Sequence, residues 1–167
     1  MNHPTADEDS AFKPDDIQFI DKIPPDIDIT WYLLVDTAGV DNEYAKSDDW
    51  ACVTAGIDRN NTIYVRGCAA ENKLSVEGFL HLIDGEFKKY QPKRIGIEKN
   101  FCKTNIHILK TAYPYLRNRI IELKAEVDKT KFQRILALQP YIENKKLFIV
   151  EDEDGIEHPF LGEIRKL

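Results

Sequence analysis

Apolar positions along the chain fall into short blocks, and shifts in their period set the order of elements. Trp31-Tyr32-Leu33-Leu34-Val35-Asp36 is a near-continuous apolar run, the pattern of a central strand covered on both faces. Residues 51–57 and 62–67 read as two more strands joined by the turn Asp58-Arg59-Asn60-Asn61, a hairpin. A helix then starts behind Ser75 as N-cap, with Phe79, Leu80, Ile83 and Phe87 at helical spacing and Gly78 and Gly85 as its weak points. Residues 94–98 form a short strand. A second helix over 104–112 is capped by Thr104, turns Ile108, Leu109 and Ala112 inward and stops at Pro114. Residues 120–123 make another strand. A third helix over 130–143, capped by Thr130, sets Phe132, Ile135, Leu136 and Tyr141 on its apolar side, with Pro140 kinking it or ending it early. Residues 147–150 close the pattern as a last strand. The order predicts an α/β fold: an antiparallel β-meander followed by parallel strands in one mixed sheet, reached by right-handed crossovers and flanked by helices.

Residues 1–30 stand apart as an acidic lead-in or linker to a domain over 31–167. They are polar and punctuated by Pro4, Pro14, Pro24 and Pro25, and Pro24-Pro25 forces extended backbone. Ile17, Phe19, Ile20 and Ile23 are the apolar exceptions, suited to docking on the domain behind them. At 167 residues the chain is long enough for one domain with a real core. No run of about 18 apolar residues is present, so no membrane is expected, and the first residues lack the pattern of a secretory signal. Cys52, Cys68 and Cys102 are odd in number and contain no CxxC pair, which fits reduced thiols and a cytoplasmic location.

Net charge changes this picture once it is divided. The formal −6 lies wholly in residues 1–30, which hold eight acids against two lysines. The rest of the chain carries 21 basic and 21 acidic groups, and residues 88–146 alone hold 15 Lys or Arg against 5 Asp or Glu. A nucleic-acid partner is therefore compatible with the overall negative charge.

Two acids invite chemistry. Asp36 ends an apolar strand, where a carboxylate loses solvation unless it is paired or ligates a cation. Glu98 ends the apolar Ile95-Gly96-Ile97 strand in the same way. Acids at strand ends of one sheet can converge on Mg²⁺ or Mn²⁺, which take hard oxygen ligands, and such ions activate water and stabilise the leaving oxygen in phosphodiester cleavage. The bland alternative is a pair of solvated carboxylates bordering loops. His3, His81, His107 and His158 show no ligand spacing, and Cys102 has no nearby His to act as base.

Residues 31–167 resemble the ribonuclease H-like nuclease domain of the large terminase subunit of tailed bacteriophages. Asp36-Thr37-Ala38 matches the family's Asp-x-Ala at the first strand end, and Asp48-Asp49-Trp50-Ala51 matches its Ser/Asp-Asp-aromatic-Ala loop. Ile97-Glu98-Lys99-Asn100 matches an "IE.N" strand end. Lys131, Arg134, Leu138, Pro140, Glu143, Leu147 and Phe148 match a helix-to-strand segment. The resemblance implies a two-metal endodeoxyribonuclease that cuts concatemeric viral DNA during genome packaging. Asp36 and Glu98 would be its metal-binding catalytic acids, with Mg²⁺ or Mn²⁺. Asp49 would hold a metal-bound water or support the loop; a plain turn or cap residue is an equal alternative. Lys99, Lys103, Lys129, Lys131 and Arg134 would contact phosphates of double-stranded DNA, without base readout. Lys88, Lys89, Lys145 and Lys146 fit a solvated face.

The same resemblance predicts a gap. The family sets a third carboxylate after the terminal strand, in a His/Lys-Asp-Asp element, whereas Leu161-Gly162-Glu163-Ile164-Arg165-Lys166-Leu167 resembles the stretch just before it. The nuclease domain is thus expected to be C-terminally incomplete, by trimming or as a natural remnant, or to have another acid substituting. No G-x-x-x-x-G-K-[ST] occurs, so a terminase ATPase domain would be a separate partner, as would a small terminase subunit or portal. Two other readings stay open: a ribonuclease H-like nuclease of resolvase or transposase type, and a catalytically inactive DNA- or protein-docking remnant of this fold.

Overall fold

In the computed structural model, which describes residues 16–36, 50–71, 75–98, 103–124 and 130–151, seven strands form one mixed sheet. They are β1 (Gln18–Ile20), β2 (Ile29–Asp36), β3 (Trp50–Asp58), β4 (Ile63–Glu71), β5 (Arg94–Glu98), β6 (Ile120–Leu123) and β7 (Leu147–Val150), arranged β1-β7-β4-β3-β2-β5-β6. The expected meander is β2-β3-β4, antiparallel throughout, and β5 and β6 add parallel strands beside β2. β7 pairs parallel with β4 on the far side of the meander. Among the described strands only β3 runs against the others, so the carboxyl ends of the other six lie at one end of the sheet.

Alternation assigns the two faces. Leu33 and Val35 of β2 and Ile95 and Ile97 of β5 are buried beneath α1 (Val76–Tyr90) and α2 (Lys103–Ala112), where Phe79, Ile83, Phe87, Ile106 and Leu109 meet them. Ser75 caps α1 as expected, its Oγ accepting from the Gly78 N–H at 3.0 Å. Truncating a fully buried anchor such as Phe79 to Ala would cost about 3–5 kcal/mol. α2 begins at Lys103, so Thr104 lies inside the helix and not at its cap. Its inward residues are Ile106 and Leu109, while Ile108 and Ala112 are exposed: the buried pair is three apart and Ile108 lies off that stripe. A single 3-10 turn, Pro114–Leu116, follows the helix.

The opposite face is covered by shorter pieces. The predicted third helix is two helices, α3 (Lys131–Leu136) and α4 (Gln139–Glu143). Pro140 has no N–H to donate and its ring crowds the carbonyl four residues back, that of Leu136, where α3 ends. The break leaves Ile135 exposed, contrary to its expected inward position. Thr130 caps α3 in a reciprocal box: Gln133 N–H donates to Thr130 Oγ1 at 3.2 Å and Thr130 N–H to Gln133 Oε1 at 2.9 Å. From α4, Ile142 and Tyr141 pack on Leu147 and Ile149 of β7 together with Ile17, Phe19 and Ile63. The lead-in, expected to be a linker with docking residues, also supplies a strand: β1 pairs parallel with β7, Phe19 opposite Ile149. Among the described residues no helix is long and apolar enough to cross a membrane.

Candidate metal centre

Strand register brings the two acids together. β2 lies parallel to β5 with Val35 opposite Ile97, so Asp36 and Glu98 are next-door neighbours at the carboxyl end of the sheet. Because Leu33, Val35, Ile95 and Ile97 face the α1–α2 core, period-two alternation turns Leu34, Asp36, Gly96 and Glu98 to the other face. There the Asp36 and Glu98 carboxyl groups share a hydrogen bond. The carboxyl of Glu98 is held above the ordinary range, first by burial, then by the charge of Asp36 and by the hydrogen bond to it. The Arg134 guanidinium acts against these and favours the ionised form. Two adjoining carboxyl groups at a strand edge form an oxygen-donor pair suited to a hard divalent ion, whose charge would offset their mutual repulsion.

The pair sits in an open cleft of about 660 Å³. Leu34, Val35 and Asp36 of β2, Ala51 and Val53 of β3, Glu98 and Leu123 line the sheet side, with Arg134 and Ala137 on the α3 side and Lys124 beyond the end of β6. Gly96 shapes this floor. A Cβ there would stand 2.7 Å from Leu123 Cδ1 and 3.1 Å from its Cγ, so only glycine lets Leu123 lie across β5 beside Glu98. The chemistry this arrangement offers is cation binding by an acid pair, with a basic flank for an anionic ligand and an apolar floor that excludes part of the water.

Of the residues singled out from sequence, Asp36, Glu98 and Arg134 meet in this cleft. Lys103 and Lys131 open α2 and α3. Asp49, Lys99 and Lys129 lie outside the described residues, as does the segment 152–167 in which the third carboxylate was expected to be missing. Among the described residues no group of three or more His, Cys, Asp or Glu side chains gathers as a metal cluster. Lys124 was missed by the sequence reading. The signal available for it was its place immediately after a short strand, one residue beyond Leu123, which pairs with Glu98.

The sequence model of the terminase RNaseH-like domain family matches residues 33–167. Among solved structures, the large terminase nuclease of thermophilic phage G20c with bound magnesium is similar over 87% of this chain and 76% of that chain, at 13% identity and a TM-score of 0.55. The nuclease domain of the large terminase, g2p, of bacteriophage SPP1 with bound Mn is similar over 81% of this chain and 71% of that chain, at 20% identity and a TM-score of 0.51. No curated protein matches the chain significantly. At these identities the structural likeness shows the fold, a ribonuclease H-like mixed sheet flanked by helices, as the strand pattern predicts.

Proposed function

The chain belongs to the terminase RNaseH-like domain family, and from that premise we propose that it is a metal-dependent endodeoxyribonuclease domain of a phage large terminase, cutting concatemeric double-stranded DNA during genome packaging. The observation that carries the reading is the hydrogen-bonded pair Asp36 and Glu98 at the carboxyl ends of two parallel strands, in a cleft with Arg134 on its flank. Ligands of open α/β sheets bind at this end.

Asp36 and Glu98 would hold Mg²⁺ or Mn²⁺, two ions in the full mechanism, and the metal would supply a water activated at neutral pH and charge neutralisation at the leaving oxygen. The chain's own residues do the rest. Glu98 presents its carboxylate from a partly buried position and is oriented by Asp36. Arg134, a planar fork of donors, holds a phosphate over the acids and lowers the cost of keeping Glu98 ionised. Leu34, Val53 and Leu123 give the cleft an apolar floor, which strengthens each of these electrostatic contacts. Asp49, Lys99, Lys103, Lys129 and Lys131 are assigned supporting contacts to a metal-bound water or the DNA backbone on the strength of sequence position alone. A terminase ATPase domain, a small terminase subunit or the portal would bring the DNA, and the host cytoplasm is where the reaction would take place.

The test is cleavage of supercoiled plasmid in Mg²⁺ or Mn²⁺ by the chain and by its Asp36→Asn and Glu98→Gln variants. Metal-dependent nicking that either substitution abolishes is expected. Cutting that survives both substitutions would exclude this site as the catalytic one.

A further inference from the structure

Lys124 is a cation set beside the acid pair. It follows β6, whose last residue Leu123 is the register partner of Glu98 on β5. Neighbouring strands lie roughly 5 Å apart, so Asp36, Glu98 and the end of β6 form a row of three steps along the carboxyl edge of the sheet. Lys124 is exposed and lines the same cleft as the acid pair. It forms no salt bridge with a described residue: the ion pairs among them join Arg59 to Asp28, His81 to Glu77 and Lys88 to Asp84. The charge that acts on Glu98 comes from Arg134, on the α3 side. The cleft that holds the two carboxyl groups thus has cations on two independent elements, Lys124 after β6 and Arg134 on α3.

A lysine beside an acid cleft that is not neutralising the acids is placed to meet an anion entering it. Arg134 meets such an anion as a flat fork, Lys124 as a compact point charge on a flexible stem. Resting on the nuclease reading above, we propose that Lys124 is a phosphate-binding residue that works with Arg134 as a two-point clamp, Lys124 gripping the DNA backbone on the β6 side of the bond to be cut. The contact is to phosphate, so it positions the strand without reading its sequence.

The clamp has a thermodynamic signature separate from cleavage. Each phosphate contact contributes about 0.9 to the slope of log K against log salt for duplex DNA, so losing one shrinks the affinity drop between 50 and 200 mM salt by about 3.5-fold. The experiment is fluorescence-anisotropy titration of a duplex of arbitrary sequence with the full chain, Ca²⁺ replacing Mg²⁺, at several salt concentrations. Lys124→Gln should lower the slope by about one contact and raise KM for plasmid cleavage more than it lowers kcat, and Lys124→Arg should restore both. Lys93→Gln serves as control, since Lys93 is exposed and precedes β5 at the opposite end of the sheet. A Lys124→Gln variant that is folded by its melting temperature and keeps the full salt slope overturns the clamp while leaving the nuclease reading intact. An unaltered chain that neither binds nor cuts DNA removes both.

Discussion

Glu98→Gln separates what the acid pair does for the fold from what it does for a metal. The substitution preserves shape, and the new amide N–H can donate to Asp36 where the Glu98 carboxyl now shares a hydrogen bond with it. What disappears is the second negative charge. Two unit charges 4 Å apart repel by about 1 kcal/mol in water and about 4 kcal/mol at an effective dielectric of 20. Asp36 is exposed and Glu98 only partly buried, so solvent screening puts the relief at the lower end, about 1 kcal/mol. For a domain of this size that raises Tm by about 2–4 °C. The sign follows from the raised Glu98 carboxyl. A group with a raised folded pKa contributes stability below its unfolded value, and that contribution is lost as pH rises through the folded one. The variant's advantage is therefore absent in acid and grows toward neutral pH. Added metal should invert the order. An ion bound at 100 times its Kd stabilises the unaltered chain by about 2.7 kcal/mol, whereas the variant, short of one carboxylate, gains little. Differential scanning fluorimetry in EDTA and then in a Mn²⁺ titration reads both effects. A variant that melts below the unaltered chain in EDTA would refute the repulsion, and one that keeps the full Mn²⁺ shift would refute Glu98 as a ligand.

Three further substitutions test the frame that carries the site. Asp58 closes the β3–β4 hairpin by accepting from the Asn60 and Thr62 N–H groups, each at 2.8 Å, so Asp58→Ala should cost about 1–3 kcal/mol in urea unfolding. Burial alone would raise the Asp58 carboxyl, but those bonds outweigh it and hold it below the usual range. Its stabilisation is present above the unfolded pKa and lost as pH falls through the folded one, and Asp58→Asn should flatten that part of the acid limb. Thr54 Oγ1 is buried without a hydrogen-bond partner among the described residues, so the near-isosteric Thr54→Val should raise the urea midpoint at unchanged m, by about 1 kcal/mol; a lower midpoint would mean that the hydroxyl is satisfied. Gly56→Ala would press a Cβ against Ile29 Cγ2 and set it 2.8 Å from the Trp31 ring, which Arg66 overlies at 5.9 Å. It should destabilise by about 1–3 kcal/mol, and a neutral result would show that this corner of the sheet yields freely.

What sequence reasoning recovered and what it missed divide along a physical line. β5, β6 and β7 were legible to the residue because a short apolar block between turn signals is local information. So was the meeting of Asp36 with Glu98, since acids that end parallel neighbouring strands share an edge once those strands pair. β1 was not legible. Its three residues show no sustained alternation, and the partner that makes them a strand, β7, is over a hundred residues away. Ile135 was misplaced because one apolar stripe was drawn from Phe132 through Tyr141, although an end at Pro140 was expected, and α3 and α4 are separate helices. Lys124 was missed because its place after a short strand becomes informative only with the β5–β6 register, which sets Leu123 opposite Glu98. Strand direction supplies the remaining logic of the site. With only β3 reversed among the described strands, the chain leaves β2, β5, β6 and β7 at the end of the sheet where the acid pair lies. Asp49, Lys99 and Lys129 all fall in sequence between such a strand and the next element, as does Lys124. One reversal in the sheet is thus enough to bring Asp36 of β2, Glu98 of β5 and Lys124 after β6 to a single edge. Along the sequence Asp36, Glu98 and Lys124 are scattered, while the topology makes them neighbours of one cleft.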